Sequence, residues 1–301
     1  MGILDGILPV FGARRSHAAK AVVTGAGSGI GRAFALEIAA RGGEVVCADI
    51  DKDRADETAR LIERTYGRPA HAVFCDVSRR ADVESLALHA ELIFHGPPTL
   101  VINNAGVGIG GKPVGQIGFD DWQWALGINL WGVVHGCEIF APQLRAAGRG
   151  GIINVASAAG FAAAPGMAVY NVSKAGVLSL SETLAAELSG SGVAVTVLCP
   201  TFVQTNVVRD GRIGTGASRL AAELMRWTGF SPERVARTTL DSHDHGRLYV
   251  LPQLDAHAVW LLKRHFPALY AQGLGVLNRV LPQHDSPAPA TTGTSTEKTG
   301  V

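Results

Sequence analysis

Tyr170 and Lys174 stand four residues apart in "VYNVSKAG", so on a helix they share one face, one turn apart. That pairing suits proton transfer. A free phenol has a pKa of about 10, too high for a base near neutrality, and a neighbouring cation shifts it toward the phenolate. A second chemical cluster is "TGAGSGIG", Thr24 to Gly31. Gly25 permits a tight turn, Gly29 lets backbone approach a pyrophosphate, and Gly31 allows close helix packing. Ser28 and Ile30 lie at the helix N-terminus that would face the phosphates. The spacing is G-x-x-x-G-x-G, not the commoner G-x-G-x-x-G. A flexible loop is also glycine-rich, so the weight of this turn depends on where it sits.

From Lys20 the chain alternates short β-branched runs with longer amphipathic ones. Strand patterns fall at 20–25, 44–49, 71–76, 99–104, 151–157, 193–200 and 247–252. Helical patterns lie at about 29–41, 52–66, 79–94, 119–147, 168–189 and 232–242. Near-continuous apolar strands, each followed by a helix, predict an α/β fold. Its core is a doubly wound parallel sheet of Rossmann type, about seven strands, with helices on both faces. A small C-terminal helical extension follows. In such a sheet the ligand lies beyond the carboxyl ends of the strands, at the point where strand order reverses. Those ends here are polar or glycine-rich: Thr24-Gly25, Asp49, Asp76, Asn103-Asn104, Ser157 and Pro200-Thr201.

The glycine turn therefore joins the first strand to a helix, where a dinucleotide fits. Asp49 ends the second strand, where its carboxylate can accept hydrogen bonds from both adenosine ribose hydroxyls. A 2′-phosphate would face Asp49 and Asp51 with no Arg or Lys at position 28 or 50, so NAD is expected over NADP. Arg32 and Lys52 are nearby cations that weaken this discrimination, and the plain alternative is that Asp49 only caps the next helix. Asp76 and Val77 follow the third strand and are placed to line the adenine, although a strand-end Asp is also a common turn former.

The organisation expected is a leader over 1–16, a dinucleotide-binding and catalytic domain over 17–252, a lid at about 202–231, a helical extension over 253–283 and a disordered tail over 284–301. Ser231 and Pro232 mark the end of the lid as N-cap and first helical residue. The 301 residues are 47% hydrophobic and 18% charged, with mean hydropathy +0.19 and net charge +1. Such a balance offers no electrostatic reason for a nucleic-acid partner. Cys47, Cys75, Cys137 and Cys199 form no CxxC pair and read as buried thiols of a reducing compartment, so a cytoplasmic location is expected. Ile3, Leu4, Ile7, Leu8, Val10 and Phe11 of the opening segment are too short a run to span a bilayer. "HDHG" at 243–246 reads as a polar turn, and no metal is expected.

Five motifs in order resemble the short-chain dehydrogenase/reductase family in its shorter, single-domain form: "TGAGSGIG", "NNAG" at 103–106, Asn129 in "GINLWG", Ser157 in "INVASAAG" and Tyr170/Lys174 in "YNVSK". The resemblance spans about 17–252. It implies Tyr170 as general acid/base, Lys174 tuning it and holding the nicotinamide ribose, Ser157 stabilising the substrate oxygen, and Asn129 holding a water that links Lys174 to solvent. It also implies that Asn104, Ala105 and Gly106 line the cofactor, and that Pro200, Val203 and Thr205 approach the carboxamide. The family usually has Pro-Gly after the sixth strand, and Thr201 departs from that.

The loops after Gly106 and Ser157 and the lid carry Phe161, Met167, Val207, Leu220, Leu224, Met225, Trp227 and Phe230. Their character predicts a hydrophobic secondary alcohol or ketone as substrate. Family members pair through the long helices, here about 119–147 and 168–189, so a homodimer or homotetramer is expected. Two rival readings are a catalytically idle member of the fold acting as a binding or regulatory protein, and an epimerase or dehydratase using NAD transiently. The intact Asn129, Ser157, Tyr170 and Lys174 weigh against the first.

Overall fold

Alternation of side chains along each strand settles the layers. In the strand Lys20–Thr24 (β1), Val22 packs with Leu86, Phe140 and Val177 on one side of the sheet, while Ala21 and Val23 pack with Phe34, Ile38 and Val235 on the other. The computed structural model describes residues 14–204, 211–213 and 229–280. The apolar leader residues, Thr205, the lid residues Val207, Leu220, Leu224, Met225 and Trp227, and the tail over 284–301 lie outside the described residues.

After β1 come Glu44–Asp49 (β2), Ala70–Phe74 (β3), Leu100–Asn103 (β4), Ile109–Gly110 (β5), Gly150–Val155 (β6), Val193–Leu198 (β7), Arg212–Ile213 (β8) and Tyr249–Val250 (β9). Seven of them form one parallel sheet in the order β3-β2-β1-β4-β6-β7-β9. The order reverses between β1 and β4, so their carboxyl ends diverge and leave a crevice. Helices Gly29–Ala40 (α1) and Lys52–Tyr66 (α2) cover one face, and Arg80–Phe94 (α3) covers the other.

The 119–147 pattern, read as one helix, is three pieces: Phe119–Leu126 (α4), a π-helical turn Gly127–Trp131, and Gly132–Ala147 (α5). A π turn carries one extra residue and such bulges concentrate at functional sites; here it holds the fully buried Asn129. Ala159–Ala162 (α6) and Ala168–Glu187 (α7) follow β6. Pro232–Asp244 (α8) starts at Ser231, whose hydroxyl accepts from Arg234 N–H, as the sequence predicts. Leu254–His265 (α9) and Pro267–Val280 (α10) follow the last strand.

Three local readings change. β5 and β8 form a separate two-stranded parallel ladder between the loop after β4 and the segment after β7. The last strand shrinks to Tyr249–Val250. "HDHG" is the end of α8 rather than a free turn: His243 is fully buried, with Nδ1 2.8 Å from Thr196 Oγ1 and its ring against Gly151. Burial lowers its pKa to about 4. The reason is long-range, because Thr196 and Gly151 lie on strands that the local pattern does not connect to this segment.

Candidate active site

The glycine turn is locked to the end of β4. Gly25 has φ +67, and a Cβ on Gly31 would collide with the Gly25 carbonyl oxygen and the Asn104 amide. Asn104 Nδ2 donates to Thr24 O at 2.9 Å, while Asn104 N–H and Ala105 N–H donate to Thr24 Oγ1 at 3.0 and 3.1 Å. These bonds tie the two strand ends that flank the crevice. The bare backbone there fits a pyrophosphate, because any side chain on Gly31 would fill the space the turn itself occupies.

Asp49 does not cap α2. Asp51 is the N-cap and accepts from Arg54 N–H at 3.2 Å. The Asp49 carboxylate accepts from Gly27 N–H through Oδ2 at 2.8 Å and from Asp51 N–H through Oδ1 at 2.9 Å. Each oxygen keeps acceptor capacity for a hydroxyl. Asp76 folds its Oδ1 back onto Ser78, whose N–H and hydroxyl donate at 3.0 and 2.7 Å. It therefore forms a turn and lines the cleft at the same time.

One cleft of about 790 Å³ runs past these groups to the catalytic candidates. It is lined by Gly25, Ser28, Ile30, Asp49, Asp76 and Val77 at one end, by Asn104, Ala105 and Gly106 beneath, and by Ser157, Tyr170, Lys174, Pro200 and Val203 further along. Gly29, Gly31 and Asn129 are not among its lining residues.

Lys174 is buried and donates to Val155 O at 3.0 Å, with its ammonium 5.7 Å from the Tyr170 ring centre. Burial lowers its pKa to about 8. The Tyr170 phenol is raised by burial, and its hydrogen bond with Ser157 opposes that rise. Desolvation thus moves both groups toward their neutral forms. The Ser157 hydroxyl also reaches Pro200 O at 3.4 Å and accepts from Ala159 N–H at 3.2 Å.

Asn129 spends its side chain on backbone. Its Oδ1 accepts from Val107 N–H at 2.7 Å and its Nδ2 donates to Val107 O at 2.9 Å. A Cβ on Gly106 would stand 3.1 Å from Asn129 Oδ1 and 3.4 Å from Lys174 Nζ, so glycine lets the loop close over both.

Several lining residues had no sequence signal. Arg54 stands beside Asp51, Nε to Oδ2 3.0 Å, and borders the same end of the cleft as Asp49. Arg32 instead turns to Gly27 O and Thr58, and Lys52 to Asp56. From far along the chain, α9 brings Asp255 and Val259 to the other end. A helix pattern alone does not say which site it will border.

Burial pushes the Cys47, Cys75, Cys137 and Cys199 thiols up to about 12. All four are buried and free, as the sequence predicts. No described helix is long and apolar enough to cross a membrane.

Residues 19–214 match the family described as short chain dehydrogenase. The chain is 41% identical over 189 residues to the "probable oxidoreductase EphD" of Mycobacterium tuberculosis; the match covers 62% of this chain and 31% of EphD, so it spans about a third of that relative's length. Among solved structures, a short chain dehydrogenase/reductase from Burkholderia phymatum in complex with NAD is 34% identical, with TM-score 0.79, covering 85% of this chain and 96% of that one. A short-chain dehydrogenase from Sphingobium yanoikuyae in complex with NADPH is 27% identical, with TM-score 0.70, covering 88% and 97%. Neighbours of this fold thus hold either nicotinamide cofactor. With its glycine turn, strand-end loops and Ser157/Tyr170/Lys174 cluster on one seven-stranded parallel sheet, the chain belongs to the short-chain dehydrogenase family.

Proposed function

We propose that the protein is an oxidoreductase that interconverts an apolar secondary alcohol and its ketone, using NAD. The observation that carries this reading is the meeting of Ser157, Tyr170 and Lys174 in the same cleft as the glycine turn and Asp49. A bound nicotinamide cofactor supplies the hydride acceptor for the alcohol or the hydride donor for the ketone. The protein supplies the proton and the geometry.

In oxidation, the Tyr170 oxygen takes the hydroxyl proton as the carbinol hydride leaves; in reduction it returns that proton to the ketone oxygen. Ser157 donates to the same oxygen and stabilises the charge that develops there. Lys174, anchored on Val155 O, keeps its other N–H donors for the nicotinamide ribose and for favouring the phenolate. Because the Asn129 amide is engaged with Val107, a relay water beside Lys174 would rest on backbone of the π turn, with Asn129 holding the 105–107 loop in place.

Asp49 and Asp51 support NAD, since a 2′-phosphate would meet two carboxylates. Arg54 offsets part of that repulsion, so the preference should be modest. The substrate end is walled by Ala162, Ala164, Met167, Phe202 and Val259, which supports an apolar ligand. We extend the reading to a catalytic domain over 17–252 with a helical extension behind it, working as a cytoplasmic homodimer or homotetramer.

Mixing the protein with NAD and a panel of bulky secondary alcohols should produce the absorbance of reduced cofactor. Cofactor binding with silence across a wide panel would instead favour a binding or regulatory role.

A further inference from the structure

The cleft ends differ in charge. Asp49, Asp51, Arg54 and Asp76 stand at the β2–β3 end, whereas the end formed by α6, α9 and the loop after β7 is apolar except for one charged side chain among the described lining residues, Asp255. Lys174 lies between them and is anchored on Val155 O beside the reacting oxygen, so it cannot serve a distal substituent.

Asp255 is placed by Thr201, the residue that stands where the family resemblance leads one to expect glycine. Thr201 N–H donates to Gln253 Oε1 at 3.2 Å, Gln253 Nε2 donates to Phe202 O at 3.0 Å, and the Thr201 hydroxyl donates to Asp255 Oδ1 at 3.2 Å. Ala256 N–H also donates to Oδ1, at 2.9 Å. Among the described residues, both bonds to this carboxylate fall on Oδ1, which leaves Oδ2 for a ligand. Thr201 directly follows Pro200, whose carbonyl meets the Ser157 hydroxyl at 3.4 Å. The carboxylate is thus linked through two residues to the group that holds the substrate oxygen. A glycine at 201 would lack the hydroxyl that makes this link.

We propose that Asp255 determines which substituent the substrate carries away from its reacting carbon. The preferred compounds are apolar alcohols or ketones with a distal hydroxyl or ammonium, and those with a distal carboxylate, sulfonate or phosphate are rejected by like charge. Thr201 is the positioning residue. This inference rests on the oxidoreductase reading of the same cleft.

An acid in the first turn of a helix is also favoured by the helix dipole, so the test must read charge and not only fold. A matched set of aryl ketones would share one reacting carbonyl and differ only in a distal methyl, hydroxymethyl, ammoniomethyl or carboxylate group. Steady-state kcat/KM relative to the methyl parent should be roughly tenfold higher for the ammonium than for the carboxylate, and the ratio should shrink as salt screens the exposed charge.

Asp255→Asn keeps the shape and should bring the ratio within about twofold, and Asp255→Lys should invert it. Thr201→Gly should reduce the ratio without removing it, with melting temperatures confirming that each variant is folded. A wild-type protein that does not distinguish the charges, or an Asp255→Asn protein that keeps the full ratio, would overturn the proposal. If the methyl parent itself is not turned over, the oxidoreductase reading fails instead. Calorimetric binding of the same four compounds with NAD present then decides the charge ranking separately.

Discussion

The β2–β3 end of the cleft and the α6–α9 end are built by opposite means. At the first, polar groups are answered by nearby backbone: Asp49 by Gly27 and Asp51, Asp76 by Ser78, Asn104 by Thr24. A Cβ on Gly25, Gly27 or Gly31 there would run into atoms of Asn104, Asp49 or the turn itself. At the second, small and apolar side chains from α6, the loop before α7 and α9 form the wall, and one exposed carboxylate is held by the Thr201 hydroxyl and the Ala256 N–H. A preorganised end suits a ligand that never changes, and a wall of separable side chains suits one that selection can alter. The Ser157, Tyr170 and Lys174 cluster, proposed as catalytic, sits where the two meet.

The largest test addresses that junction. Tyr170→Phe should lower kcat by roughly 10²–10⁴ while leaving cofactor affinity within a few-fold, since the hydroxyl it removes is the proposed proton-transfer group. Turnover that survives would detach the chemistry from Tyr170 and end the division of labour between the two ends.

The next concerns the scaffold beneath both ends. His243 is buried with a pKa near 4 against an ordinary 6.5. Between those values the unfolded chain binds the proton and the folded one does not, so stability is full above about 6.5 and falls as pH drops toward 4, by about 3 kcal/mol in all. His243→Asn should flatten that part of the curve in urea unfolding. Parallel curves for the two proteins would mean that the imidazole is not held neutral.

Gly31→Ala asks whether the first end is as rigid as its contacts imply. Forcing a methyl against Gly25 O and Asn104 should cost about 1–3 kcal/mol of stability and disable cofactor binding. A variant of unchanged melting temperature that still binds cofactor would show that the turn yields. Asp49→Ala should then shift the NAD-to-NADP ratio of kcat/KM by roughly tenfold toward NADP, because it removes one of the two carboxylates a 2′-phosphate would meet. An unmoved ratio would assign the ribose to other groups.

The smallest effect belongs to the second end. Val259→Ala should change KM for bulky ketones a few-fold and leave kcat and cofactor affinity nearly alone, as expected of a wall that contacts substrate outside the reacting centre. A large fall in kcat would mean that α9 helps to position the catalytic groups, and the two ends would then be less separable than they look.

Much of the first end was legible in the chain itself. Thr24 to Gly31 could be read because its constraint is steric and local: each glycine answers to atoms a few residues away or to one strand end. Strand-end polar residues could be read because a parallel sheet turns all its carboxyl ends to one edge. The Tyr170–Lys174 pair needed only helical spacing. What could not be read were partners remote in sequence. Nothing near Asn129 announces that its amide will grip Val107, and nothing near Thr201 announces Asp255. The π turn at Gly127–Trp131 is equally silent in a pattern that reads as one long helix.

By itself, then, the sequence determined the alternation of strands and helices, the parallel sheet and the residue types available for proton transfer. Side-chain periodicity and glycine sterics act over a few residues and need no distant contact to be expressed. Tertiary structure alone decided which of those residues share a cleft, which hydrogen bonds are already spent, and which way burial moves Tyr170, Lys174 and His243. Those outcomes depend on desolvation and on partners brought in by packing. Neither exists until the helices close over the sheet.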